Sequence, residues 1–265
     1  MTELQHRSIR PLGQRRPLLE MQGIAKVFNG TVTALQGMNL TLNEGDFLSL
    51  LGPSGCGKST ALRLIAGLMQ PTQGRILWSG GQQKGDLGVV FQEPTLMPWA
   101  TVAQNVYLPF RLRGQGFGSV KSRIAEALDL VGLSTFHDAY PRELSGGMKM
   151  RVSIARALVT GPRLILMDEP FAALDEITRQ KLNNDLLAMR GKIGCTVIFV
   201  THSVFESVFL SDRIVVMAPR PGRVVQEIQV DAPYPRTMEF RTSTTYAAHA
   251  QVVSEALAHA MGEPA

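Results

Sequence analysis

The stretch Gly52-Pro53-Ser54-Gly55-Cys56-Gly57-Lys58-Ser59-Thr60 limits the possible folds more than any other part of the chain. It fits the phosphate-binding pattern G-x-x-x-x-G-K-[ST]. Glycines let the backbone curl until successive N–H groups point inward at phosphate oxygens. Lys58 adds a point charge for the β- and γ-phosphates, and the Ser59 hydroxyl suits a Mg²⁺ ligand position. The flanks agree. Phe47-Leu48-Ser49-Leu50-Leu51 reads as a buried strand, and Ala61-Leu62-Arg63-Leu64-Ile65-Ala66 reads as a helix. The N-terminus of such a helix favours an anion. A strand–loop–helix unit of this kind implies an α/β fold around a parallel sheet.

A second segment complements the first. Leu164-Ile165-Leu166-Met167 is an apolar run that ends in Asp168 and Glu169. Such a run suits a central strand buried on both faces, and ligands bind at the carboxyl ends of such strands. Asp168 is then the acidic partner of Ser59 around Mg²⁺, through water. Glu169, one step further out, is placed to polarise an attacking water. Gln92 follows the apolar stretch Leu87-Gly88-Val89-Val90-Phe91, where its amide can touch the metal or the water. Asp175 closes Pro170-Phe171-Ala172-Ala173-Leu174-Asp175, and His202 ends the apolar run Thr196-Val197-Ile198-Phe199-Val200-Thr201. A histidine at a strand end could hydrogen-bond the γ-phosphate or the water.

Taken with Leu144-Ser145-Gly146-Gly147, these residues resemble the ATP-binding subunit of ABC transporters over roughly residues 18–230. The resemblance implies that Leu144-Ser145-Gly146-Gly147 is the signature motif. Ser145, Gly146 and Gly147 would sit at a helix N-terminus aimed at the γ-phosphate held by a second subunit. Val152, Ile154, Ala155 and Leu158 recur at helical spacing behind them, which is compatible with that helix. It further implies a head-to-tail homodimer with two ATP molecules in its seam, Asp175 at that seam, and Phe28 stacked on adenine. A strand-core phenylalanine is the other reading of Phe28. Phe91-Gln92-Glu93-Pro94, Met97-Pro98-Trp99, Asp168-Glu169-Pro170-Phe171 and Arg220-Pro221-Gly222-Arg223 are similar to the nitrate/sulfonate/taurine importer group, which includes importers of thiamine-precursor pyrimidines. Two positions depart from the usual pattern: Met148-Lys149-Met150-Arg151 after the signature, and Ser203 where Asp is commonest.

The expected architecture is a P-loop NTPase core with a parallel sheet, an N-terminal antiparallel β subdomain, and an inserted helical subdomain over about 93–157. Asn29-Gly30 and Glu44-Gly45 are turn signals in the antiparallel β subdomain. Val120 to Val131 reads as an amphipathic helix in the last, after the glycine-rich Gly114–Gly118. Residues 158–230 are expected to return to strand–helix–strand and complete the parallel sheet. Residues 231–265 form an extension with a helix from Tyr246 to Met261. Residues 1–17 read as a flexible basic tail, since Arg7, Arg10, Arg15 and Arg16 against Glu3 supply +3 of the net charge of +5. Such a tail either touches anionic lipid or is simply solvated. No basic face with interleaved aromatics suggests nucleic acid.

No run of 18 apolar residues occurs, so a transporter ATPase of this kind would borrow its membrane spans from a separate permease. The location implied is the cytoplasmic face of the membrane, peripheral, with a solute-binding protein as an indirect partner. The loop Glu93 to Ala100, with Leu96, Met97 and Trp99, either contacts the permease or is simply core of the helical lobe. The two cysteines, Cys56 and Cys195, have no metal spacing. Cys56, beside Lys58, could carry a reactive thiol. A soluble ABC ATPase and an exporter ATPase are the alternatives. No residue names the solute.

Overall fold

The structure, a computed structural model, describes residues 15–81, 85–232, 234 and 236–262. Arg7 and Arg10 of the expected basic tail, and Pro235 of the extension, lie outside the described residues. Along the chain run β1 (Pro17–Phe28), β2 (Val32–Asn43), β3 (Phe47–Leu51), α1 (Lys58–Ile65), β4 (Gln73–Trp78) and β5 (Leu87–Val90). Then come α2 (Val102–Arg111), α3 (Phe117–Leu130), α4 (Gly146–Leu158), β6 (Leu164–Asp168) and α5 (Glu176–Ile193). The chain finishes with β7 (Thr196–Thr201), α6 (Val204–Leu210), β8 (Arg213–Ala218), β9 (Arg223–Gln229), α7 (Met238–Arg241) and α8 (Thr244–Met261). The described residues divide into two compact units, one of residues 15–81 with 196–262 and one of residues 85–195.

In the first unit, β1 lies between β2 and β4 in an antiparallel sheet. Its hairpin turns at Asn29 and Gly30, both at positive φ, the conformation that matches the twist of paired strands. A second run of strands has the order β7-β3-β8-β9. Strand β3 is parallel to β7 and β8, with Leu50 opposite Val200 and Val215. Every residue of β3 and of β7 is buried, which is why both read as unbroken apolar runs. The last strand departs from the expectation of an all-parallel completion. Strand β9 returns antiparallel on β8, and its polar, exposed residues Gln226 and Glu227 mark it as an edge.

Arg15 also differs from the tail reading. Its guanidinium meets Asp46 at 3.0 Å and Asp212 at 2.6 Å, all three nearly inaccessible to solvent. Arg213 reaches Asp46 from the other side at 2.6 Å. Buried carboxylates persist only when paired in this way. The C-terminal stretch is docked as well. Helix α8 packs on α6 and β8. The buried Arg236 donates to the carbonyls of Val208, Phe209 and Ser211 at 2.8–3.0 Å. Those carbonyls end α6, so Arg236 works as its C-terminal cap.

In the second unit, β5 and β6 pair in parallel, Val90 opposite Met167. Helix α2 packs on α3 and α4, and α4 lies on β5. A Cβ at Gly88 would stand 2.6 Å from the Ala157 carbonyl oxygen, so that glycine sets how closely α4 approaches the strand. Helix α3 starts at Phe117, with Gly116 as its cap, three residues earlier than the periodicity suggests. The expected glycine-rich break is therefore partly absorbed into the helix. The α/β class, with an antiparallel sheet, a parallel sheet and a helical insertion, is as expected.

Candidate active site

The phosphate-loop candidates belong to the first unit. The loop Gly52–Gly57 leaves β3 and enters α1. Three of its positions require glycine. A Cβ at Gly52 would lie 2.7 Å from the Met217 carbonyl oxygen, and one at Gly57 2.9 Å from the Ala34 carbonyl oxygen. Gly55 and Gly57 have φ of +78° and +96°. Lys58 is 4% exposed and folds back over the loop, donating to Gly52 O at 2.7 Å and Pro53 O at 3.0 Å. Helix α1 starts with no side-chain cap and no acidic residue in its first turn, so its positive end faces the loop. Ser54 is exposed, while Pro53, Ser59 and Thr60 are half-buried. Cys56 is fully buried, which argues against the reactive thiol expected from its neighbour Lys58.

The strand pairing brings His202 to the same edge. Leu51 pairs with Thr201, so Gly52 and His202 are the first residues beyond neighbouring strand ends. His202 is exposed. Phe28, at the end of β1, is 36% exposed, and Lys26 Nζ lies 5.4 Å from its ring centroid. The ring is thus at the surface and not in the strand core.

A brace for the loop escaped the reading of the sequence. Gly222, between β8 and β9, donates its N–H to Ala34 O at 3.1 Å and accepts from Gln36 N at 2.9 Å. A Cβ there would stand 2.2 Å from the Cys56 carbonyl oxygen. The signal in the sequence was Arg220-Pro221-Gly222-Arg223, which marks a turn without saying what it touches. Gly222→Ala must push the phosphate loop and the turn apart. Overpacking of this kind costs about 1–3 kcal/mol. The expected result is a lower melting temperature and roughly tenfold weaker ATP binding, since about 1.4 kcal/mol is tenfold. Thermal unfolding and titration with a fluorescent nucleotide check it; wild-type affinity would sever the brace from the site.

A separate group of candidates belongs to the second unit. Asp168 is the last residue of β6, half-buried, and Glu169 turns away at φ +46°. That conformation costs a non-glycine residue about 1–3 kcal/mol and is concentrated at functional positions. Gln92 is exposed two residues beyond β5, at the same end of the β5–β6 pair. Ser145 caps α4, accepting from Met148 N at 3.3 Å. Asp175 caps α5, accepting from Thr178 N at 2.9 Å. That backbone hydrogen bond holds its carboxyl below the usual carboxylate range. The cap is therefore complete above the ordinary aspartate pKa and is lost as pH falls through the depressed value.

The structure brings these two helix starts together. A Cβ on Gly147 would stand 2.8 Å from Thr178 Cγ2, and one on Gly146 would be 3.4 Å from Leu174 Cδ2. The glycines thus let the signature turn lie against the start of α5. Of the residues that depart from the usual signature, Met150 is buried and Arg151 pairs with Asp185. Ser203, in the first unit, caps α6 by accepting from Glu206 N at 3.3 Å, so serine fills the position as a carboxylate would.

The loop after Gln92 is held by two residues that sequence reasoning missed. Arg156 donates to Pro94 O at 2.8 Å and to Thr95 O at 2.9 Å. It thereby ties down Thr95, whose φ is +46°. Burial pulls the Arg156 guanidinium below its ordinary pKa. Asn105, fully buried, donates to the carbonyls of Met97, Ala100 and Thr101 and accepts from Met97 N. A polar residue on the apolar face of α2, between Val102 and Val106, was the available signal. Trp99 is left 75% exposed beside a groove of about 490 Å³ that Met97, Tyr107 and Phe117 help to line.

Residues 35–172, just over half of the chain, match the family described as ABC transporter. This chain belongs to the ABC transporter family. A relative in Methanocaldococcus jannaschii, an uncharacterized ABC transporter ATP-binding protein, is 50% identical, with 82% of this chain and 84% of that protein covered. The nitrate import ATP-binding protein NrtD of Synechocystis is 45% identical, covering 81% and 83%. An aliphatic sulfonates import ATP-binding protein, SsuB 1 of Pseudomonas syringae pv. syringae, is 44% identical, covering 83% and 88%. Among solved structures, the dimeric ATP-binding cassette MJ0796 in a post-hydrolysis state with ADP and Pi superposes with a TM-score of 0.68. It is 32% identical and covers 82% of this chain and all of that one. As an ABC ATP-binding chain, the protein is an ATPase.

Proposed function

We propose that this chain is the subunit that powers a bacterial-type ABC importer, closing on a second copy of itself around ATP. The cargo would be a small organic or inorganic solute, of the nitrate, sulfonate or taurine kind or a pyrimidine thiamine precursor. The observation that carries the reading is the loop Gly52–Gly57, in which contacts with Met217 and Ala34 leave no space for side chains while the uncapped start of α1 and Lys58 supply donors. Such a loop is a fixed cradle for phosphates. The names of the nitrate and sulfonate relatives support an importer and favour the anionic end of the solute range. The dimeric cassette structure supports pairing. Neither alternative, a soluble ABC ATPase or an exporter, has a comparable observation behind it.

The residues divide the work as follows in this reading. Gly52 to Gly57, Lys58 and Thr60 bind the phosphates, and Phe28 covers the adenine. Glu169 takes a proton from the attacking water. His202 donates to the γ-phosphate or orients the water. Ser145, Gly146 and Gly147 of one copy face the γ-phosphate of the other, and Asp175 lies at the seam. Ser59, Gln92 and Asp168 offer hard oxygen donors, the set that fits Mg²⁺. The metal would neutralise phosphate charge there.

No helix among the described residues is long and apolar enough to cross a membrane. A separate transmembrane permease, fed by a solute-binding protein, would supply the path, with this chain peripheral on the cytoplasmic face of the membrane. The exposed Trp99 and its groove are the proposed contact with that permease. In vesicles with the permease, Trp99→Glu should lower ATP-driven uptake at least tenfold, while hydrolysis by the isolated chain stays within about twofold. The magnitude follows from losing one buried aromatic anchor, worth about 2 kcal/mol or more. Uptake at the wild-type rate would remove the groove from the coupling path.

A further inference from the structure

We propose that Thr201 and Glu206 form a positioning device for His202; this rests on the reading of His202 as the histidine that meets the γ-phosphate. Thr201 is the last residue of β7 and is buried, 2% exposed. Its hydroxyl donates to the Glu206 carboxylate at 2.6 Å. The same oxygen accepts from the Ser203 backbone N–H at 3.0 Å. His202 lies between these two bonded residues, so its backbone is clasped from both sides. Glu206, 9% exposed, is held in turn by the first turn of α6, where its own N–H is bonded by Ser203 Oγ at 3.3 Å.

A hydroxyl–carboxylate bond is charge-assisted and roughly twice as strong as a neutral one. Two hydrogen bonds meeting on one oxygen fix the turn that carries the histidine. Strand β7 is pinned alongside β3, with Thr201 opposite Leu51. The device therefore references the imidazole to the strand that feeds the phosphate loop. A shift of about 1 Å in a catalytic group can cost up to about a hundredfold in rate. Thr201 and Glu206 touch neither substrate nor reacting atoms in this account, and their effect passes through His202.

The test uses the full chain with Mg²⁺ and ATP. Thr201→Val keeps the shape and removes the hydroxyl. It should lower kcat about tenfold with the KM for ATP within about twofold. Thr201→Ser restores the oxygen and should recover kcat to within about threefold. On a His202→Ala background, Thr201→Val should add nothing, because the device has lost its object. If Thr201→Val fails to fold, Glu206→Leu against Glu206→Gln makes the same comparison, since the amide keeps an acceptor. Should Thr201→Val keep wild-type kcat, or lower it equally without His202, the positioning role is wrong. If His202→Ala itself hydrolyses ATP normally, the reading of His202 falls and this inference with it.

Discussion

Glu169→Gln should bind ATP as the wild type does and hydrolyse it about 10²–10⁴-fold more slowly, the range lost with a general base. That is about 3–5 kcal/mol on the barrier. The amide keeps the size of the carboxylate and the strained turn at φ +46°, so the fold has no reason to change. What disappears is the group that accepts a proton. With hydrolysis stopped, ATP and Mg²⁺ should drive two copies into a stable dimer, because nothing resets the closed state. Single-turnover hydrolysis and light scattering read both effects. Turnover within tenfold of wild type would take the proton-accepting role away from Glu169. A variant that stays monomeric with ATP would overturn the paired arrangement of phosphate loop and signature.

The second large effect is at Lys58. Its ammonium is nearly inaccessible and held over the loop by the carbonyls of Gly52 and Pro53. Lys58→Ala removes a charged donor to phosphate, worth about 1.5–3 kcal/mol for each hydrogen bond. ATP affinity should fall roughly a hundredfold or more, and hydrolysis at ordinary ATP concentrations should become undetectable. The two carbonyls left behind reduce stability by about 1–3 kcal/mol. Calorimetric titration with ATP separates this loss from unfolding. Retained affinity would mean that the backbone N–H groups alone hold the phosphates.

Much of this was legible in the sequence for a physical reason. Strands β3, β6 and β7 are nearly or wholly buried, so they appear as short apolar runs, each bounded by the polar residues that serve the site. The phosphate loop needs glycine at fixed spacing because neighbouring carbonyls occupy the places of its missing side chains. What stayed hidden depends on contacts between distant segments. Nothing near Gly222 in the chain announces that Cys56 will lie against it. Arg15 looked like one more tail charge until Asp46 and Asp212 closed around it. The same holds for Asn105 and Arg156, most of whose partners are backbone groups of a loop and carry no side-chain signature. Strand β9 was misread because its mixed polarity does not record direction.

The neighbours of β3 have a consequence for the birth of the protein. Strand β3 pairs with β7 and β8, and Thr196 emerges about 145 residues after Leu51. At ribosomal speeds of about 5–20 residues per second, β3 waits on the order of ten seconds or more with two apolar faces and both edges unpaired. During that interval the phosphate loop lacks the two strands that flank β3 in the sheet. A polypeptide cut short before β7 would expose this strand permanently. Chaperone capture of the nascent chain is thus expected to concentrate on lengths between the synthesis of β3 and that of β8.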